Sequence, residues 1–312
     1  MYFCFIYAAT YISAHAYDEG NPPKTVSPTE DDSKTVAQAM TAYTDKDYAK
    51  ASKLCRPAAE KGSAGCQSIL GYLAREGLGQ AKDYVEAVRW YRMAADQGDA
   101  GAQLSIAYLY EHGLGIAQDF AQAAQWYQKA AEQGEIQAEV NLGFMYAQGQ
   151  GVPKDGAEAA KWLHKAANRG DVSAQYNLGV IYESGQGVAR DYGEAMNWYR
   201  KAADQGEPHA QYAVGLMYYD GRGATRDYAE ALKWFRLSAD RGETAAQYSL
   251  GVMYQAGQGV EPDSSTALMW FEIAAGNGDK KAREQVDLLA KSLTPEQIAE
   301  AQKLAHEWRP RQ

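Results

Sequence analysis

Several features that would each point to a function are missing from this 312-residue chain. Lysine and arginine nowhere gather into a block, and the net charge is −9. A DNA or RNA surface needs clustered positive charge to meet phosphates, so no nucleic-acid partner is expected. No apolar run approaches the ~18 residues needed to cross a bilayer, so no integral membrane segment is expected in the mature chain. Isoleucine and valine are scarce beside tyrosine, alanine, glutamine and glycine, a balance that favours helix over sheet. Catalytic signatures are missing as well: G-x-x-x-x-G-K-[ST], H-E-x-x-H, G-x-S-x-G and S-x-x-K do not occur. His112, His164, His209 and His306 occupy unrelated places and do not make one metal site. With no nucleophile, base and orienting group assembled, the chain reads as a non-enzyme that needs no cofactor.

The first sixteen residues, MYFCFIYAATYISAHA, differ from the rest. They are apolar and uncharged and end in Ala14-His15-Ala16, an A-x-A-like cleavage pattern, though no basic residue opens them. They read as a secretory leader, which places the mature chain in the periplasm or outside the cell. If they are not a leader, the chain is cytoplasmic. Residues 17–34, with Pro22, Pro23 and Pro28, read as a flexible linker.

What is present is a repeat. AQLSIAYLYEHGLG begins at Ala102, AEVNLGFMYAQGQG at Ala138, AQYNLGVIYESGQG at Ala174, AQYAVGLMYYDGRG at Ala210 and AQYSLGVMYQAGQG at Ala246. A degenerate copy begins at Cys66. Trp90, Trp126, Trp162, Trp198, Trp234 and Trp270 share the 36-residue period, and so do Asp83, Asp119, Asp155, Asp191, Asp227 and Asp263. A cofactor box would not recur six times, so each tryptophan is expected to be a core wedge of its own repeat. Each aspartate is expected to cap the helix that follows it. Ala138, Leu142, Met145 and Gly149 trace one helical face, and Ala159, Trp162, Ala166 and Ala167 trace another. The paired glycines, such as Gly149 and Gly151, stop the first helix and turn the chain; a phosphate loop would occur once. Each repeat is therefore a helix hairpin that buries its face only by stacking on the next. The expected fold is all-α, an α-solenoid of stacked antiparallel helix hairpins.

The segment AQYNLGVIYESGQGVARDYGEAMNWYRKAADQG resembles the Sel1-like repeat, a relative of the tetratricopeptide repeat. Leu178-Gly179 with Tyr182, and Ala195 with Tyr199, match the L-G-x₂-Y and A-x₃-F elements, and the extra length sits in the glycine loop. On this reading residues 35–65 form a tetratricopeptide-like N-terminal capping hairpin. Six repeats follow at 66–101, 102–137, 138–173, 174–209, 210–245 and 246–281, and 282–312 form C-terminal capping helices. There Thr294, Pro295 and Gln297 make a helix start, and Trp308 is expected to cover the last open core.

Some Sel1-like proteins are cysteine-rich β-lactam-binding proteins or β-lactamases with a C-x₇-C pair in each repeat. This chain departs from that pattern, with Cys55 and Cys66 spaced C-x₁₀-C, once. The pair is either a disulfide in an exported chain or two buried thiols. The resemblance thus implies two functional readings. One is a non-catalytic scaffold binding a protein or peptide partner, whether exported or acting as a cytoplasmic regulatory adaptor. The other is an envelope β-lactam binder or β-lactamase-like enzyme.

Columns kept among the six copies serve the fold, and columns that vary are free to carry specificity. The varying columns of the first helix, those of Tyr176, Asn177, Val180, Glu183 and Ser184, fall on one arc. By resemblance to tetratricopeptide arrays, this arc lines a concave groove. The candidate partner-binding residues are Leu104, Ser105, Tyr108, Glu111, His112, Tyr176, Asn177, Glu183, Tyr212, Tyr219, Asp220 and Tyr248. Tyrosine suits such a groove because it offers large contact area at low entropy cost.

Overall fold

The structure, a computed structural model, describes residues 30–310. The leader expected at 1–16 lies outside those residues. The described residues form sixteen helices and no strand, in an α-solenoid fold of stacked hairpins. The helices belong to two compact units, one ending at Arg169 and one starting at Gly170. The first unit contains four hairpins: α1 (Glu30–Thr44) with α2 (Tyr48–Glu60), α3 (Ala64–Glu76) with α4 (Tyr84–Asp96), α5 (Ala100–His112) with α6 (Phe120–Glu132), and α7 (Ile136–Gln148) with α8 (Gly156–Asn168). The second contains three: α9 (Val172–Ser184) with α10 (Tyr192–Asp204), α11 (Pro208–Asp220) with α12 (Tyr228–Asp240), and α13 (Thr244–Ala256) with α14 (Ser264–Gly276). It closes with α15 (Lys280–Leu289) and α16 (Pro295–Glu307), both packed on α14. Helix α1 begins inside the stretch expected as linker, and neither proline nor glycine interrupts residues 29–44.

Each hairpin is built by the same local chemistry. The aspartates recurring every 36 residues do cap the second helices: Asp191 accepts from the N–H groups of Gly193 at 2.8 Å and Glu194 at 3.0 Å. The backbone N–H of Asp191 donates to the Tyr182 carbonyl at 3.0 Å and so closes the loop. In the loop of α7 and α8 the two glycines do different work. Gly149 is the left-handed cap of α7 at φ +77°, and its N–H donates to the Met145 carbonyl at 2.8 Å. Gly151 is also left-handed, at φ +69°, but in addition a Cβ there would stand 2.1 Å from the Phe120 carbonyl oxygen of α6. The second glycine is therefore where one hairpin's loop sits on the preceding hairpin.

The L-G-x₂-Y element has a packing cause. A Cβ on Gly179 would lie 2.4 Å from the Tyr199 ring, so its absence lets α9 and α10 approach closely. The six periodic tryptophans are buried, as their period implied. Cations lie over several of these rings: Lys129 at 3.9 Å from Trp126, Lys165 at 3.8 Å from Trp162 and Lys201 at 3.6 Å from Trp198. Arg200 of α10 joins its hairpin to the next, lying 5.3 Å over Trp234 and donating to the Tyr218 hydroxyl at 2.9 Å.

A second tie between hairpins runs through buried glutamines. Gln67 donates to the Ala59 carbonyl of the preceding hairpin at 2.9 Å and accepts from Gln97 at 2.7 Å. Gln103 with Gln133, Gln175 with Gln205, and Gln247 with Asn277 repeat the side-chain contact. At the C-terminal end Thr294 and Gln297 form a reciprocal capping box with Pro295 in the first turn. Trp308 meets Trp270 edge to face at 6.0 Å.

Candidate functional site

The varying arc belongs to the first helix of each hairpin and is described unit by unit. In the first unit Leu104, Tyr108 and Glu111 are half-buried on α5, Ser105 is buried and His112 is exposed. Ser105 Oγ donates to the Gly101 carbonyl at 2.8 Å, a local bond along its own helix. The Tyr108 and His112 rings stack at 4.1 Å. Glu111 accepts from the Tyr127 hydroxyl of α6 at 2.6 Å.

In the second unit Tyr176 is buried, Asn177, Glu183, Tyr212, Tyr219 and Tyr248 are half-buried, and Asp220 is exposed. Tyr176, Tyr212 and Tyr248 occupy one column. Each leans on the second helix of its own hairpin: on Tyr199 at 5.6 Å, Phe235 at 5.4 Å and Phe271 at 5.5 Å between ring centroids. Burial, with the charges of Asp279 and Glu284, pushes the Tyr248 phenol above its usual range. Asn177 donates to the Ser173 carbonyl at 2.8 Å.

Glu183, Tyr219 and Asp220 form a lateral network. Glu183 accepts from the Tyr199 hydroxyl and from Arg222 Nη1, both at 2.8 Å, and Arg222 Nη2 reaches Asp220 at 2.5 Å. The Tyr219 hydroxyl donates to Gln258 at 2.9 Å, and its ring lies 5.2 Å from that of Tyr228. Arg222 and Gln258 are the residues between the paired glycines of their loops. Each reaches back 39 residues to the preceding first helix. Sequence reasoning missed them, although the signal was available: that middle position also varies from copy to copy.

The described residues contain no group of three or more histidine, cysteine or acidic side chains suited to a metal ion. Cys55 on α2 and Cys66 on α3 are free, fully buried and hydrogen-bonded to one another. That hydrogen bond, burial and the Cys66 charge push the Cys55 thiol up. No helix among the described residues is long and apolar enough to cross a membrane.

Stacked helix hairpins with side-chain ties between neighbours, and a varying face on the first helices, define a helical-repeat protein. The chain belongs to the Sel1 repeat family, whose model matches residues 37–63, 64–99, 100–135, 136–171, 172–207, 208–243 and 244–279. The first of these seven repeats is the hairpin of α1 and α2, in which Lys46 at φ +60° turns the chain without a glycine pair. Among solved structures, a Sel1 repeat protein from Oxalobacter formigenes is 33% identical over 77% of this chain and 96% of its own, with a TM-score of 0.67. A protective antigen of uropathogenic Escherichia coli strains that displays an SLR fold is 26% identical over 89% of this chain and 84% of its own, with a TM-score of 0.51. A comparison with curated proteins gives no match.

Proposed function

We propose that the chain is a non-catalytic scaffold that binds a protein or peptide partner on the first-helix face of its units. Sel1 repeat arrays commonly serve as protein-interaction scaffolds. The observation that carries the reading is the division of labour among columns. The alanine, leucine and glycine columns are spent on burial, while five columns that vary from hairpin to hairpin fall on one arc of the first helix. On that face His112 and Asp220 are exposed, and Tyr108, Tyr219 and Glu183 are half-buried beside them in their respective units.

The test is affinity capture with the full chain carrying His112→Ala and Asp220→Ala, because exposed side chains can be removed without opening the core. Capture of the partner should weaken about tenfold, the loss of one contact of roughly 1.4 kcal/mol, with helicity and melting unchanged. Undiminished capture, or stoichiometric labelling of the protein by a fluorescent penicillin, would overturn the scaffold reading.

A further inference from the structure

The N-terminal end of α11 departs from its neighbours in the second unit. Where α9 is capped by Asp171, α11 and α13 are capped by the longer Glu207 and Glu243. His209 follows Glu207 by two residues, in a column that elsewhere holds Gly65, Gly101, Gln137, Ser173 and Ala245. His209 Nδ1 lies 2.8 Å from Glu243 Oε2, which joins the start of α11 to the start of α13. The other Glu243 oxygen accepts from the Ala245 N–H at 3.2 Å. The His209 ring is also 6.2 Å from that of Tyr176 on α9. One oxygen of Glu207 accepts from the Ala210 N–H, while Oε1 is buried with no hydrogen-bond partner.

Two carboxylates and one imidazole share this largely buried edge. A carboxylate with an unpartnered buried oxygen is costly to hold as an anion, and a proton on Glu207 removes that charge. A proton on His209 turns its contact with Glu243 into a charge-assisted bond. With both protons gone, two carboxylates face a neutral ring. We propose that His209, Glu243 and Glu207 form a proton-operated clasp between the α11 and α13 hairpins, closed in mild acid and loosened as pH rises.

The titration of each group runs in the direction the clasp requires. Burial works against the His209 charge, but the hydrogen bond to Glu243 and the charges of Glu243 and Glu207 outweigh it and raise its pKa. Burial lifts the Glu207 carboxyl, aided by Glu243 and opposed by the Ala210 N–H and His209. A histidine raised above its unfolded value of ~6.5 adds stability that is complete below that value and lost as pH climbs through the folded one. A carboxyl raised above ~4.3 also loses stability as pH climbs, over a lower window. The charges acting on His209 are Glu243, the N-cap of α13, and Glu207, the N-cap of α11. From α9 it meets Tyr176, and Ser238 of α12 donates to the neighbouring Pro208 carbonyl at 2.7 Å.

The experiment is hydrogen exchange on the full chain between about pH 5.5 and 8.5, corrected for intrinsic rates, with an NMR titration of the His209 ring. Protection of residues 207–211 and 243–247 should fall by about tenfold across that range, as one charge-assisted hydrogen bond is lost. His209→Gln, which keeps a donor for Glu243, should flatten the profile. Glu207→Gln should preserve more protection at the alkaline end and keeps the test decisive if His209→Gln folds poorly. A His209 pKa at or below ~6.5, or a pH profile unchanged in both variants, would overturn the clasp.

Discussion

Gln67, Gln103, Gln175, Gln211 and Gln247 share a column, and in the hairpin of α7 and α8 the same position is Glu139. It is 4% exposed and lies 3.6 Å from Arg169, which stands where three other hairpins place the partner glutamine, Gln97, Gln133 or Gln205. Burial lifts the Glu139 carboxyl above its usual range, against the pull of Arg169 and Lys165. A carboxyl whose folded pKa is raised favours folding in its protonated form, and that advantage is lost as pH rises from the unfolded value of ~4.3 through the folded one. At neutral pH the ion is therefore a burden that an amide of the same shape would not carry. Glu139→Gln should raise the melting temperature at pH ~7, and the gain should vanish below pH ~4 as the wild-type carboxyl protonates. Melting curves of both proteins at the two pH values check this; a gain independent of pH would assign the effect to shape instead of charge.

Between residue and hairpin stands the glycine loop, where two residues of one type carry different loads. Gly149 needs its left-handed backbone above all, for the space a Cβ would take there is tight but open, with the Lys154 Cβ at 3.0 Å and the Lys154 backbone nitrogen at 3.3 Å. Gly151 needs the same backbone and also the absence of a side chain, because the α6 backbone fills that space. Asparagine tolerates the left-handed region better than most residues. Gly149→Asn should thus cost about 1 kcal/mol or less, whereas Gly151→Asn should cost about 1–3 kcal/mol through collision with α6. Urea unfolding of the two variants separates the roles, and equal losses would remove the packing role of Gly151. Such loops also show what the sequence could and could not say. The periods of Trp198, Asp191 and Gly185 made helix, cap and turn legible, because a residue type kept every 36 positions announces a role shared by every hairpin. The variation at Glu183, Tyr212 and Tyr219 was legible only as variation. Whether a varying residue faces a partner or a neighbouring hairpin depends on atoms 16 to 39 residues away. The pairing of His209 was hidden for the same reason: its partner Glu243 belongs to the next hairpin.

For the molecule as a whole, stability in a repeat array is close to a sum of hairpin terms and nearest-neighbour interfaces, so the end of the stack must be closed by something other than another hairpin. In the second unit that closure is α15 and α16. Trp270 on α14 is fully buried, packed with Phe235 of the preceding hairpin and with Leu250 and Met253 of its own. Trp308 joins that core, meeting Trp270 edge to face just beyond the last turn of α16. Trp308 is only half-buried, so its removal should cost less than the ~3–5 kcal/mol typical of a fully buried aromatic. We expect Trp308→Ala to destabilise the unit by about 1–3 kcal/mol. The position of the loss distinguishes nearest-neighbour coupling from general weakening. Hydrogen exchange should quicken in α14, α15 and α16 and stay unchanged in α9 and α10, two hairpins away within the same unit. Uniform quickening from Val172 to Glu307 would mean that the unit opens as one cooperative body and that Trp308 acts on all of it.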